Sequence, residues 1–268
     1  MKIIKTIDVL MKNIRTSALF IFGLLMGQNI HAQANFLIWP IYPVIESHEK
    51  AVPVWLENVG DDSSMVQIRV FKWTQNNGQD EYENQQEVIA SPPIVKIQAA
   101  SKQMIRLVKS NSNAAESKEH SYRIIIDELP FDMDANKERS QVSFKMRYSL
   151  PLFVYGKGLG SGRTDESIKL NAKNPLAKPI LKWSVVSELN KEYLKIDNIG
   201  LMSVRISGFK NNQKEYKSLS GSNTFGYVLA NSAFNFELSP ELKKALFSDT
   251  PIYAIVGNTQ DPIIISKK

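Results

Sequence analysis

The chain has 268 residues, a formal net charge of +6 and no cysteine. Without cysteine it can form no disulfide, and it offers neither thiol chemistry nor a cysteine-based metal site. Four basic residues lie in the first 34 positions, and no Lys/Arg run with interleaved aromatics follows, so the charge argues against nucleic-acid binding. The length suits two domains, and the many β-branched and aromatic residues favour an all-β protein.

The first 34 residues are predicted to be a signal peptide rather than part of the fold. Lys2, Lys5, Lys12 and Arg15 precede an apolar run at 18–26, and the sequence Ala32-Gln33-Ala34 follows, with cleavage expected after Ala32 or Ala34. The apolar run is too short for a stop-transfer helix. An uncleaved anchor is the alternative. We expect an exported chain without stable membrane insertion.

Residues 35–156 are predicted to form an immunoglobulin-like sandwich. Short β-prone segments alternate with turn signals and show no helical period, at 36–45, 52–58, 65–73, 88–95, 102–108, 121–129 and 141–155. Pro40 and Pro43 predict that the first segment lies on an edge or switches between sheets. Such a sandwich places its last two strands, 121–129 and 141–155, side by side.

A glycine-rich stretch at 156–162 predicts a linker or domain boundary. A second series of β-prone segments follows, and residues 163–268 are interpreted as another, smaller sandwich. Ser239 and Pro240 favour one or two helical turns over 239–246, with Ser239 as the cap.

The last segment of the first domain has an unusual alternation. Apolar side chains recur at every second position, and Ser143, Lys145, Arg147 and Ser149 fill the gaps; the apolar row is Val142, Phe144, Met146, Tyr148 and Leu150. One interpretation is a half-buried strand that covers its own core. The other is that part of this row is lent to another chain.

The sequence supports no catalytic, nucleotide or metal site. His48 and His120 lack a second ligand at metal-binding spacing and are interpreted as surface loop residues. Asp127 and Glu128 are adjacent on a strand and so point to opposite faces, which does not suit an acid–base pair. No helix is predicted after the glycines at 158–162, and the Lys-Ser/Thr end of a phosphate loop is missing.

Several segments, in this order, resemble the periplasmic pilus-assembly chaperones of chaperone–usher systems, and the archaic branch in particular. The segments that carry the resemblance are 35–44, 88–93, 102–107, 122–130, 147–154 and 226–230, together with Trp183. The resemblance implies two immunoglobulin-like domains set at an angle, with a pilus subunit held along the first domain and in the cleft.

The resemblance also implies a mechanism, donor-strand complementation, in which the last strand of the first domain fills the gap left by a pilin's missing strand. Main-chain hydrogen bonds then give affinity, and alternate side chains fill pockets. On this basis Val142, Phe144 and Met146, with Tyr148 and Leu150, are expected to plug the groove of the subunit. The partners implied are pilus subunits and an outer-membrane usher, with self-association of the free chaperone as a further expectation.

Two functional residues of the better-known branch are replaced here. That branch anchors the subunit carboxylate with an Arg on the first strand and a Lys late in the last, but residues 35–47 hold neither, and the late position falls near Pro151. The candidates for the anchor are Arg123 and Arg147, with Lys145 behind them; a solvated basic face is the alternative. Glu128 matches the family's interdomain acid, although its usual Arg partner falls near Tyr155.

The sequence therefore predicts a periplasmic chaperone that binds, folds and caps pilus subunits and delivers them to the usher. A two-domain adhesin or carbohydrate-binding module is the first alternative. A structural pilin is the second, and an enzyme is the most distant.

Overall fold

The computed structural model describes residues 36–110, 117–129, 145–211, 215–216, 226–248, 250–256 and 261–268. The strands of the first half are β1 Phe36–Trp39, β2 Val44–Ile45, β3 Ala51–Asn58, β4 Ser64–Asn76, β5 Gln79–Asn84, β6 Val88–Ser91, β7 Ile94–Ile97, β8 Lys102–Lys109, β9 Glu119–Leu129 and β10 Arg147–Tyr155. Those of the second half are β11 Leu181–Glu188, β12 Lys191–Asn198, β13 Val204–Lys210, β14 Glu215–Tyr216, β15 Gly226–Val228, β16 Ser232–Glu237, β17 Ile252–Val256 and β18 Ile263–Lys267.

The first half forms a sandwich of two sheets. One sheet has the order β1-β3-β8-β6, and the other has the order β2-β10-β9-β4-β5 with β7 on β4. Alternate residues of both sheets point inward and make one core, which includes Leu56, Ile68, Leu107, Ile124 and Leu152. The predicted neighbours at the end of this domain do pair: β10 runs antiparallel to β9, with Arg147 opposite Asp127 and Tyr155 opposite Glu119.

The prolines near the start act as predicted. β1 pairs with β3 in the four-stranded sheet, whereas β2 pairs with β10 in the other, so the chain changes sheets across Pro40 and Pro43. Proline lacks the N–H that a continuous ladder would need, and the switch removes that need. The Pro92–Pro93 pair similarly separates β6 from β7.

The second half forms the other sandwich. Its strands follow the order β14-β13-β17-β18-β11-β12-β16, with β15 on β13. β18 pairs with both β11 and β17, and residues from both sides of this connection share a single core that includes Trp183, Ile196, Phe209 and Ile265. The prediction of two immunoglobulin-like sandwiches is confirmed.

Two short helices accompany the strands in the part of the chain that the structure describes. The predicted one is α2, Pro240–Leu246, with the Ser239 hydroxyl accepting a hydrogen bond from the Leu242 amide and Pro240 in the first turn. The other, α1 Asp165–Asn171, was not predicted; Thr164 caps it, and Asp165 and Glu166 lie in its first turn, where the helix dipole favours negative charge. Neither is long and apolar enough to cross a bilayer.

Two further expectations are wrong. The segment predicted at 65–73 does not end at Trp73, because β4 continues to Asn76 and turns at Asn77-Gly78 into β5. A two-residue Asn-Gly turn with both φ angles positive suits such a hairpin. His120 is not a surface loop residue either, since it lies buried near the start of β9.

Candidate functional site

One edge of β10 is open along most of its length. On one side, all nine residues of β10 pair with β9. On the other side, β2 covers only Phe153 and Val154, so residues 147–152 have no strand partner there within the described residues. We call this edge the open rim. Pro151 lies in it, in keeping with the confinement of strand prolines to edges. An open edge presents backbone donors and acceptors that a further strand can pair with.

The apolar row predicted for this strand is divided by the structure. Met146 is 41% exposed, just before β10. Tyr148 is half-buried and packs edge-on against Phe36, with ring centroids 6.5 Å apart. Leu150 is only 5% exposed and belongs to the core of the first sandwich. Contrary to expectation, this side chain is therefore not available to a bound subunit. Val142 and Phe144 lie outside the described residues.

Two of the three predicted anchor residues have carboxylate partners of their own. Arg147 donates to Asp127, which also accepts from Arg69 at 2.6 Å. Lys145 lies 3.8 Å from the carboxylate of Glu128. Burial opposes ionisation of Asp127, but the hydrogen bonds and charges of Arg147 and Arg69 outweigh it and lower its pKa. The rim therefore carries a charge network in which exposed cations pair with buried carboxylates.

Arg123 is held differently. Its guanidinium lies 3.8 Å above the ring of Trp73 and about 6 Å from those of Tyr82 and Tyr227. Tyr227 belongs to the second sandwich, so aromatic groups from both halves surround this cation. Its Nε is buried without a hydrogen-bond partner, and no carboxylate of the described residues lies within ion-pair distance. Arg123 is thus a half-buried cation with unused donor capacity.

The ring of Trp73 also packs against Phe153 and Tyr227, in a third apolar cluster that joins the sandwiches. We call it the junction cluster; its buried members are Trp73, Phe153, Tyr155, Leu159, Ala177 and Leu229. Hydrogen bonds between the two sandwiches lie beside this cluster. The Gln75 amide donates to the Tyr227 carbonyl and accepts from the Leu229 amide, each at 2.9 Å. At the hairpin tip, the Asn235 amide donates to the Gly78 carbonyl at 2.8 Å.

The acidic residue at this junction is Glu119, whereas the sequence suggested Glu128. The carboxylate of Glu119 accepts from the backbone amide and hydroxyl of Ser203 in the second sandwich. The hydrogen bonds described for Glu128, from Ser64 and Met146, are made within the first sandwich. The strand register could have identified Glu119 from the sequence. If the predicted pairing of β9 and β10 is extended, Glu119 lies opposite Tyr155, near which the family's arginine partner falls.

The described residues contain no group of three His, Asp or Glu side chains that could hold a metal ion. His48 lies exposed in a turn, and His120 lies in the wall of a polar cavity of about 390 Å³ between the sandwiches. Among the described residues, the open rim presents unpaired backbone groups, and Arg123 presents a cation without a carboxylate partner.

Comparison with known proteins agrees with this geometry. Residues 43–160 match the family model for the pili and flagellar-assembly chaperone, PapD N-terminal domain. No curated protein matches in a sequence search. One solved structure is that of the CsuC–CsuE chaperone–tip adhesion subunit pre-assembly complex, from the archaic chaperone–usher Csu pili of Acinetobacter baumannii. The matching structure is 48% identical to this chain. It covers 88% of this chain and 100% of its own length, with a TM-score of 0.74.

More distant structures share the fold. The Escherichia coli chaperone DraB is 16% identical, with a TM-score of 0.56, and covers 87% of this chain and 96% of its own. The Salmonella enterica SafA pilin–SafB chaperone complex gives 13% identity, a TM-score of 0.57 and the same coverage. These matches do not favour an adhesin, and the matched family is one of chaperones rather than enzymes. The chain belongs to the PapD-like family of pilus-assembly chaperones, in its archaic branch.

Proposed function

We propose that this chaperone binds, folds and caps pilus subunits in the periplasm by donating a strand, and that it delivers them to an outer-membrane usher. The observation that carries the proposal is the open rim, where residues 147–152 pair with no strand of the described residues on the side away from β9. A subunit strand pairing there would satisfy the free backbone groups of both chains. Capping would also hide the subunit's own edge from aggregation.

The donated side chains are Val142, Phe144 and Met146. Met146 supports this assignment, because a large apolar side chain that is 41% exposed beside an open edge has surface to bury. Burial of each such side chain contributes roughly 1.5–3 kcal/mol. Tyr148 contributes at most its exposed face, and Leu150 is left out of the donor set because it stabilises its own sandwich.

Arg123 is the principal anchor for the subunit's terminal carboxylate. It lies on β9 at the junction, and its described partners are aromatic rings and the Tyr82 hydroxyl rather than carboxylates. A charge-assisted hydrogen bond from a half-buried guanidinium is strong and directional. Arg147 and Lys145 serve as secondary anchors, since each must first leave Asp127 or Glu128.

The remaining parts of the proposal follow from the family, whose members are periplasmic. Residues 1–34 direct export and are removed, 35–156 form the donor domain, and 163–268 form the second domain. Neither nucleotide nor metal takes part. The free chaperone self-associates through the open rim until a subunit arrives, because an unpaired edge attracts strands of its own kind.

The test is co-purification from the periplasm with the small pilin-like products of the neighbouring genes. The double variant Phe144→Asp/Met146→Asp is expected to lose the subunit while the chaperone itself remains folded by circular dichroism. Ile89→Asp is the matched control, because Ile89 is 58% exposed on β6, an edge strand of the other sheet. Retention of the subunit by the double variant would refute strand donation, and glycan binding by the chain purified alone would favour an adhesin.

A further inference from the structure

We infer that Glu119, Tyr155 and Ser203 form a proton-dependent latch that holds the two sandwiches together. Glu119 lies at the start of β9 and is buried, and its carboxylate accepts from the Ser203 amide at 3.1 Å. The Ser203 hydroxyl accepts from the Ala230 amide at 3.1 Å, so its own proton points to Glu119. Tyr155, opposite in register on β10, contributes a further side-chain hydrogen bond.

The partners of this carboxylate are neutral. No Lys, Arg or His of the described part of the chain lies within ion-pair distance of Glu119. The charged and titratable groups nearby are Lys118 and His120 beside it on the chain, Lys72 in the wall of the adjoining cavity, and Arg163 and Glu46, which act on Tyr155. A buried carboxylate supported only by neutral donors is costly to ionise.

The energetics follow from this arrangement. Burial raises the pKa of Glu119 from 4.5 to about 7, against the opposing effect of the hydrogen bonds from Ser203 and Tyr155. Because the pKa is higher in the folded than in the unfolded chain, the folded state holds the extra proton between these two values. The stabilisation is complete below pH 4.5 and is lost as the pH rises through 7.

Ionisation therefore favours opening of the junction, because burial opposes the charge and opening returns the carboxylate to water. Two other connections between the sandwiches are made by groups that do not titrate. Gln75 bonds to Tyr227 and Leu229, and the hairpin tip bonds to Asn235, whatever the pH. The latch consequently loosens one side of the junction while the other side stays attached, which makes the domain arrangement pH-sensitive without separating the domains.

The test compares the pH dependence of unfolding in the full mature chain. For the wild type, the unfolding equilibrium constant is expected to rise by roughly a hundredfold between pH 5 and 8, in line with proton linkage. Glu119→Gln keeps the shape of the protonated acid and is expected to remove most of that rise. Glu128→Gln is the matched control, because Glu128 is equally buried on the same strand but lies beside Lys145, and it should keep the wild-type dependence.

A second measurement needs no variant. The ¹³C shift of the Glu119 carboxyl is expected to titrate near pH 7, and hydrogen exchange at the Ser203 amide should accelerate above that pH relative to the Leu229 amide, which bonds to the non-titrating Gln75. An unchanged pH dependence in Glu119→Gln would overturn the latch. If that variant does not fold, a carboxyl midpoint below pH 5 in the wild type would overturn it instead.

Discussion

The paired strands β9 and β10 end in two very different environments. At the rim end, Asp127 lies between Arg69 and Arg147, both arginine side chains are exposed, and no described strand pairs with the outer side of β10. At the junction end, Glu119 and Tyr155 are buried, and β2 covers the edge of β10. The carboxyl pKa is lowered at the first end and raised at the second.

The difference shows how one strand pair can serve two purposes. The rim keeps its buried carboxylates paired with exposed cations, so an incoming strand meets backbone groups that are ready to bond. The junction buries apolar side chains and packs aromatic rings from both sandwiches, so it stabilises the domain arrangement from which the rim is presented. Binding and rigidity are thus separated along the same two strands.

The largest expected effect is on stability, at the junction. Phe153→Ala removes a buried ring that contacts Trp73 and Tyr227, and we expect a loss of about 3–5 kcal/mol in the free energy of unfolding. Met146→Ala, at the exposed rim, should lower the free energy of unfolding by less than about 0.5 kcal/mol. Urea unfolding of both variants measures the contrast, and equal losses would contradict the proposed division between rigid junction and open rim.

The next effect concerns binding and links the two regions. Arg123→Ala is expected to weaken capture of the subunit by about 2–5 kcal/mol, because the subunit carboxylate would lose its buried partner. Arg123→Lys keeps the charge but loses the planar guanidinium on Trp73, so partial recovery is expected. Titration of the chaperone against a subunit gives the dissociation constants. Equal affinity of the alanine variant and the wild type would remove Arg123 from the anchor.

The smallest effect tests the sign of the electrostatics at the rim. Asp127→Asn should lower the free energy of unfolding by less than about 1 kcal/mol at pH 7, because both arginine partners are well exposed. The folded pKa of Asp127 is lowered, so its stabilisation is present above pH 3.8 and is lost as the pH falls further. The urea unfolding midpoints of the wild type and the variant should therefore differ at pH 7 and become equal at pH 2.5. A difference between the two midpoints that is larger at pH 2.5 than at pH 7 would contradict the lowered pKa of Asp127.

Much of the fold could be predicted from local patterns. Alternating apolar residues marked most strands of both sandwiches, and the prolines at 40, 43, 92 and 93 marked the breaks, because missing N–H groups interrupt a ladder in any context. The Ser239-Pro240 start of α2 was equally clear. In contrast, β5 was missed because its side chains are all exposed and polar, so its sequence carries no burial pattern.

The candidate site was predictable only in part. The alternation from Val142 to Leu150 indicated a strand with an apolar face, but it carried no information on which residues face their own core. Leu150 packs inward and Met146 lies exposed because the sandwich ends between them. Similarly, Glu119 and Glu128 are both acidic residues of one strand, and only the contact with Ser203 distinguishes the one at the junction.

The amino-acid sequence by itself determined the class of the protein: two all-β sandwiches without cysteine, and segments whose order resembles one chaperone family. The tertiary structure alone decided where β10 is open, that Glu119 is buried against Ser203, and that aromatic rings rather than a carboxylate surround Arg123. The physical reason is that strand formation depends on neighbours along the chain, whereas burial and ion pairing depend on residues far apart in it. Glu119 and Ser203, which are 84 positions apart, meet only once both sandwiches are in place.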